Sequence, residues 1–378
     1  MSCRNHDDNR DTAFMRAAIA LARRGLGRTA PNPSVAALVV DESREPPVVL
    51  GRGLTAPRGR PHAEAIALAA AGGKARGATV YVTLEPCARR SVHYDGPSCT
   101  EQLLNARVSR VVIAAADPSP FASGDGAARL RAAGIEVVEG VLAAEAAELN
   151  RGHCQRVRLN RPFVRVKLAQ TADGFAATAD RRPLAITGEL ARARVHRMRS
   201  DVEAIVTGIG TALADDPMLD VRLPGMAAFS PVRVVLDTEG RIAPDLRMIL
   251  DAARVPVVIA TAAPDTVRER LAGALGVEVL AVPRGQGGGQ SGLDLPALFG
   301  ALAARGITRV MVEAGPTLAN AVAKAGFCDE LALLTGEIRV GNGLPAIGPD
   351  LAEWLGRAHL ISEASLGADR LAIHSGGA

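Results

Sequence analysis

Three side chains far apart in the sequence restrict how this chain can fold. From Arg60 to Cys99 it reads RPHAEAIALAAAGGKARGATVYVTLEPCARRSVHYDGPSC. His62 stands at the start of a helical stretch, Ala63–Ala71. Cys87 follows the strand-like Thr79–Thr83, and Cys99 opens another helical stretch, Cys99–Asn105. His62, Cys87 and Cys99 form a credible ligand set for Zn2+, which obliges the fold to bring a helix start, a strand end and a returning loop to one point. Three protein ligands leave a fourth position for water, as in catalytic rather than closed structural zinc sites. Zinc brings the pKa of such a water towards neutrality. Glu64, two residues past His62, is placed to carry the proton without binding metal. The bland alternative is a His and two Cys that fill a core or close a structural zinc. Against it, a carboxylate beside the ligand has no structural use and is costly to bury unpaired.

A length of 378 residues suits two domains, placed at residues 1–150 and 151–378. Hydrophobic residues make up 48% of the chain and aromatic residues 3%, so Ala, Val and Leu must fill both cores. No apolar run reaches membrane-spanning length, and the N-terminal MSCRNHDDNR lacks the apolar region of a signal peptide. The expectation is a cytoplasmic protein with no membrane partner. The five cysteines are an odd number without a disulfide framework. Cys87 and Cys99 are allotted to metal, and Cys3, Cys154 and Cys328 read as free thiols. A net charge of +4 permits an anionic ligand, but no basic run marks a nucleic-acid surface.

Along the first half, Thr12–Arg24 reads as an amphipathic helix capped by Asp11. Pro31-Asn32-Pro33 is a rigid turn, and Asn32 reads equally as a substrate contact or a plain turn residue. Strands at Ala36–Val40, Val48–Gly53, Thr79–Thr83, Val108–Ala115 and Ile135–Glu139 alternate with helices, which indicates an α/β layer fold. Asp117-Pro118-Ser119-Pro120 follows the fourth strand, and Leu142–Asn150 closes the domain. The pattern restarts at Arg161-Pro162. Strands at Phe163–Leu168, Ala204–Thr207, Val232–Asp237, Val255–Ala260 and Val310–Glu313 follow, with a helix near Glu189–Arg199. Residues 283–292 (PRGQGGGQSG) read as a flexible loop. Pro316 suits a first helical turn, and the free N–H groups there suit a phosphate.

His62-Ala63-Glu64 followed by Pro86-Cys87 and a further Cys resembles the zinc nucleobase deaminases. Those have Cys-x-x-Cys, whereas eleven residues separate Cys87 from Cys99 here; the loop between them leaves room for a substrate larger than a bare base. End to end, the chain resembles the bifunctional riboflavin-biosynthesis deaminase/reductase family. Its first half matches PNP…PHAE…TLEPC…C. Its second half matches in Lys167-Leu168-Ala169, Asp173-Gly174, Ile186-Thr187, Ala214-Asp215-Asp216-Pro217, Leu219 with Val221-Arg222, and Val312-Glu313 with Gly315–Ala319.

The resemblance implies a cytidine-deaminase-like three-layer αβα domain followed by a dihydrofolate-reductase-like α/β domain. It implies hydrolytic deamination of a phosphoribosylated diaminopyrimidinone, with Zn2+ on His62, Cys87 and Cys99 and Glu64 as catalytic acid/base. NADPH then reduces the ribosyl chain to ribityl. The resemblance assigns Asn32, Arg199, Asp215, Leu219, Arg222 and Glu313 to substrate. To the cofactor it assigns Gln170, Ala185, Thr187, Thr211, Gly315, Pro316, Thr317, Leu318, Ala319, Asn320 and Ala321. It also implies a homodimer formed through the second domain.

Three departures from the family stand out. Ala88–Ser98 replaces the family's Ser-His-His-Gly segment; Arg89, Arg90 and His93 are candidates to replace its phosphate contacts, and His93 is a disfavoured alternative zinc ligand, next in line after Cys99. Ala185 stands where the family carries Trp, and the late Pro-x-x-x-Gly element is blurred within Thr335–Gly343. Two rival functions share parts of this pattern. A nucleoside or nucleic-acid zinc deaminase with a degenerate accessory domain would need stacking aromatics, which are scarce here. A regulator that only binds a flavin precursor would need neither an open zinc nor Glu64.

Overall fold

The computed structural model describes residues 2–90, 96–120, 122, 124–180, 184–285 and 292–377, with side chains from residue 9 onward. His93, residues 286–291 of the glycine-rich stretch and the Cys3 side chain lie outside the described residues. The chain divides into two compact units, Met1–Asn160 and Arg161–Ala378.

In the first unit, β1 (Ala36–Asp41), β2 (Val48–Leu54), β3 (Thr79–Leu84), β4 (Arg110–Ala115) and β5 (Glu136–Glu139) form one sheet in the order β2-β1-β3-β4-β5. β1 is antiparallel to β2 and β3, while β3, β4 and β5 are parallel. Every residue of β3 is buried, as befits a strand covered on both faces. The helices are α1 (Ser2–Ala22), α2 (Ala63–Ala71), α3 (Cys99–Ala106), α4 (Asp125–Ala132), α5 (Ala143–Leu149) and α6 (Arg151–Leu159). Val39, Val80, Val82, Val112 and Ile113 from the strands meet Met15, Ile19, Leu103 and Leu130 from the helices in the core. The alanine-rich α2 lies directly on β2. A Cβ on Gly51 would fall 2.2 Å from the Ala67 carbonyl oxygen, and one on Gly53 2.0 Å from that of Ala63.

Two details depart from the sequence reading. The first helix starts at Ser2 rather than at Thr12. Asp11 is therefore inside the helix and not its cap. It is buried, accepting two bonds from Arg110 at 2.7 Å and one from the Tyr81 hydroxyl at 2.8 Å. Such charge-assisted bonds offset the cost of burying the carboxylate. Second, the compact unit runs past Asn150 to include α6, whose His153 bonds Asp117 at 2.9 Å.

The second unit holds a nine-stranded sheet. Its strands are β6 (Phe163–Gln170), β8 (Ala204–Gly208), β9 (Val232–Leu236), β10 (Val257–Thr261), β11 (Val277–Ala281), β12 (Arg309–Glu313), β13 (Glu330–Thr335), β15 (His359–Leu366) and β16 (Asp369–Ser375). The order is β11-β10-β9-β8-β12-β6-β13-β16-β15, parallel from β11 to β13 and antiparallel beyond. A small ribbon pairs β7 (Phe175–Thr178) with β14 (Gly343–Pro345). The helices are α7 (Glu189–Arg199), α8 (Ile209–Asp215), α9 (Arg247–Leu250), α10 (Pro264–Arg270), α11 (Leu295–Ala304), α12 (Pro316–Lys324) and α13 (Pro349–Arg357).

Successive strand residues point to opposite faces. Val310, Val312, Leu331 and Leu333 therefore join Leu298, Val322 and Leu351 from α11–α13 in one core. Met311, Ala332 and Leu334 join Ala191, Val195 and Met198 of α7 in another. With helices on both faces, the carboxyl ends of the central parallel strands are the edge where such sheets take ligands.

Candidate active site

In the first unit, local structure brings the three distant ligands together. His62 is the N-cap of α2, and Glu64 lies in that helix's first turn. Cys87 follows β3 by way of Pro86, and Cys99 is the first residue of α3. Ser98 and Glu101 form a reciprocal capping box that fixes the start of α3: Ser98 Oγ accepts from Glu101 N at 3.2 Å, and Glu101 Oε2 accepts from Ser98 N at 2.8 Å. The backbone N–H of Cys99 points at Cys87 Sγ, 3.3 Å away.

His62 Nδ1 lies 3.3 Å from Cys99 Sγ and 3.8 Å from Cys87 Sγ, and all three donor atoms fall within 4.8 Å of one another. Tetrahedral zinc with ordinary Zn–N and Zn–S bonds separates N from S by about 3.6 Å and S from S by about 3.8 Å. The donor set therefore fits Zn2+ in both chemistry and spacing.

Charge is tuned at each position. The Cys99 hydrogen bond lowers the Cys87 thiol to about 4, and the His62 bond adds to this. The same Cys87 bond and burial push Cys99 well above the usual thiol range. Zinc binds thiolates, so metal binding releases the thiol protons that remain. Glu64 is 3% exposed, and its burial raises its pKa above the ordinary glutamate value, which suits a group that must both take and give a proton.

Asn32 lies beside the ligands. Its Nδ2 donates to the Gly59 carbonyl at 2.8 Å and sits 3.3 Å from His62 Nε2. These groups open onto a cleft of about 140 Å³, also lined by Arg60, Arg89, Asp117, Ser119 and His153. Of these, Arg89 was picked out in the sequence as a replacement phosphate contact. His153 carried no signal, since a lone His in a helix of arginines reads as surface. Asp117 was visible only as part of a proline-bracketed turn.

In the second unit, Gln170 ends β6, Glu313 ends β12, and Thr211 lies in α8, which follows β8. Arg199 and Glu313 form a buried two-pronged ion pair, with Nε to Oε1 at 2.6 Å and Nη2 to Oε2 at 2.9 Å. Arg199 Nη1 also donates to the Asp220 carbonyl at 2.9 Å. Burial alone would push Glu313 up, but Arg199 and Lys167 hold it below the usual carboxyl value. Lys167 sits opposite Glu313 in the β6–β12 register, and burial lowers its ammonium pKa.

The remaining expected residues differ in how far they are exposed. Arg222 is 59% exposed, with Nε 3.6 Å from Asp220 Oδ1. Asp215 ends α8 on the surface, and Thr211 is in that helix. Gln170 bonds Thr335 at 3.1 Å, the Thr187 carbonyl accepts from Arg192 at 2.7 Å, and Ala185 is exposed.

Gly315 caps α12 with Pro316 behind it. Nothing lies within 4 Å of a Cβ placed on Gly315, so the free N–H groups of Thr317 and Leu318 have open space for a phosphate. Three side chains are occupied elsewhere. Leu219 and Ala319 are in the cores, and Asn320 binds Asp350 at 2.5 Å and Leu351 N at 3.1 Å, tying α12 to α13. Ala321 follows Asn320 one turn into α12.

Residues 8–115 match the cytidine and deoxycytidylate deaminase zinc-binding region, and residues 162–358 match the RibD C-terminal domain. These matches and the His/Cys/Cys cleft define the class as a zinc deaminase domain joined to a reductase domain. The chain is 36% identical to riboflavin biosynthesis protein RibD of Aquifex aeolicus, with 88% of this chain and 89% of that one covered. It is 37% identical to the Escherichia coli RibD, with 85% and 86% covered. A solved Acinetobacter baumannii RibD superposes with a TM-score of 0.85 at 33% identity, over 98% of this chain and 100% of that one. The Thermotoga maritima deaminase/reductase gives 0.83 at 30% identity, over 98% and 100%. The chain belongs to the RibD family of bifunctional riboflavin-biosynthesis enzymes.

Proposed function

We propose that the chain deaminates a phosphoribosylated diaminopyrimidinone in its first unit and reduces the ribosyl side chain to ribityl in its second, using NADPH. The observation that carries this reading is the His62–Cys87–Cys99 group with the buried Glu64 beside it, with His62, Cys87 and Glu64 lining one cleft. When bound, zinc supplies the Lewis acidity that makes a water nucleophilic near neutral pH. Glu64 would carry one proton from the water to the ring nitrogen as the hydroxide adds, and a second from the added hydroxyl to the amine as the C–N bond breaks and ammonia leaves. Asn32 meets the pyrimidine, and Arg60 and Arg89 face the substrate's phosphate.

In the second unit, the cofactor's phosphates meet the start of α12 at Gly315–Leu318, with Gln170, Ala185, Thr187, Thr211 and the Ala319–Ala321 backbone around it. Bound NADPH supplies the hydride. Glu313, held rigid by Arg199, and Asp215 bind ribose hydroxyls, the backbone at Leu219 borders the substrate, and Arg222 reaches the phosphate. No helix among the described residues is long and apolar enough to cross a membrane. The reading is of a cytoplasmic enzyme that acts on small molecules rather than nucleic acid or membrane. It forms a homodimer through the second unit, where the edge strand β15 leaves Leu360 and Ile361 about half exposed (52% and 46%).

The test is a coupled assay on the phosphoribosylated pyrimidine. Ammonia should appear without NADPH, and NADPH oxidation should follow only after deamination. Turnover of free cytidine in place of this substrate would favour the nucleoside-deaminase reading instead.

A further inference from the structure

The deaminase cleft contains a second polar pair that the chemistry above leaves unused. Asp117 follows β4, and its side chain is 12% exposed; His153 is in α6, and its side chain is 9% exposed. Both line the same cleft as His62 and Glu64. Asp117 Oδ1 is saturated, since it accepts from Ser119 N at 2.9 Å and from His153 Nε2 at 2.9 Å. Asp117 Oδ2 has no hydrogen-bond partner among the described residues.

His153 Nδ1 is buried and has no partner either, so the ring's one polar contact is Asp117. Packing alone does not explain such a histidine, because an apolar ring would fill the space without leaving a buried nitrogen unpaired. Nε2 donates to Asp117, and Nδ1 is left without a partner among the described residues. The imidazole then acts as a strut that fixes which carboxylate oxygen is spent and which is free.

We propose that Asp117 and His153 form a metal-free recognition pair in the deaminase cleft. His153 is a positioning residue that locks the Asp117 carboxylate, and Oδ2 accepts a hydrogen bond from an amino or hydroxyl group of the substrate. This rests on the deaminase reading above. It adds a specificity contact on the wall formed by the β4 loop and α6, built from residues far in sequence from the metal ligands.

The test measures ammonia release from the phosphoribosylated diaminopyrimidinone by zinc-loaded full-length protein. His153→Phe keeps the ring and its packing but removes the strut. It should raise KM about ten- to a hundredfold, the range for losing a hydrogen bond to a charged group, with kcat changed by less than about threefold. His153→Gln retains a donor at similar reach and should recover most of the loss. Asp117→Asn should raise KM as much or more, and adding His153→Phe to it should bring no further loss, because the two act as a unit.

Zinc content and NADPH-dependent reduction of an already deaminated substrate should match wild type in every variant. An unchanged KM in His153→Phe would overturn the proposal. So would additive losses in the double variant, or a parallel fall of zinc content, stability and both activities, which would mark a purely structural strut. Should His153→Phe not fold, the KM of His153→Gln and of Asp117→Asn decides in the same terms. If wild type releases no ammonia from this substrate, the deaminase reading fails and takes this inference with it.

Discussion

Cys99 is the proposed third zinc ligand and the first residue of a helix, so it cannot move without moving α3. Cys99→Ser should leave the fold intact but reduce bound zinc from about one per chain to near none, read by metal analysis, with deamination lost alongside. Unchanged metal content would mean the third ligand lies elsewhere. Arg199 calls for a different expectation. The resemblance assigns it to the substrate, and the structure pairs it with the buried Glu313. Arg199→Ala should therefore destabilise the second unit by about 3–5 kcal/mol, because a buried carboxylate loses its partner, as measured by denaturant unfolding. Arg222→Ala, at an exposed side chain, should leave stability within about 0.5 kcal/mol and raise the reductase KM for the phosphorylated substrate about tenfold or more. No spacing rule links Arg199 to a glutamate so distant in the chain, so this pairing could not be read before the strands were placed.

Among the elements, the start of α3 governs the metal site most directly. Ser98→Ala removes one half of the capping box and should cost about 1 kcal/mol, seen as a lower unfolding midpoint and weaker zinc retention against a chelator. Glu101, the other half, is held at about 2, first by its bonds to Arg90 and then by the Ser98 N–H. The sign follows from linkage. A carboxyl depressed in the folded state stabilises it fully above the unfolded value, and that contribution fades as pH falls through about 2. A carboxyl-carbon NMR titration should place the Glu101 midpoint near 2 in wild type, and Arg90→Ala should move it up. The box was legible in principle, as Ser98 and Glu101 have the right spacing before an apolar run. By contrast, Asp11 ahead of Thr12 had the look of a cap, but the helix continues upstream and uses the carboxylate to hold Arg110 and Tyr81. A local cap signal cannot report where a helix begins if the residues before it are also helical.

For the whole molecule, two separate sites mean that two activities can be separated. Glu64→Gln should retain zinc and lose at least about a hundredfold in deamination. Reduction of a deaminated substrate should survive in the same protein, measured as NADPH oxidation. Loss of both together would contradict independent sites. The strand–helix alternation, the restart near Arg161 and the metal group were legible because each rests on short-range pattern or on residue types with few other uses. What the sequence concealed depends on long-range placement: the Arg199–Glu313 lock, the Asp117–His153 pair, and the inclusion of α6 in the first unit. The bare contact of α2 with β2 at Gly51 and Gly53 bears on motion as well as shape. With two backbones touching, no side chain between them can change rotamer to let the helix drift from the strand. α2, carrying Glu64 and following His62, should then open only when that edge of the sheet opens. Amide hydrogen exchange in Ala67–Ala71 should be as slow as in β2 and far slower than fraying at the chain ends. Gly53→Ala should accelerate exchange through the whole helix, making the metal centre's steadiness a property of a strand that contributes no ligand to it.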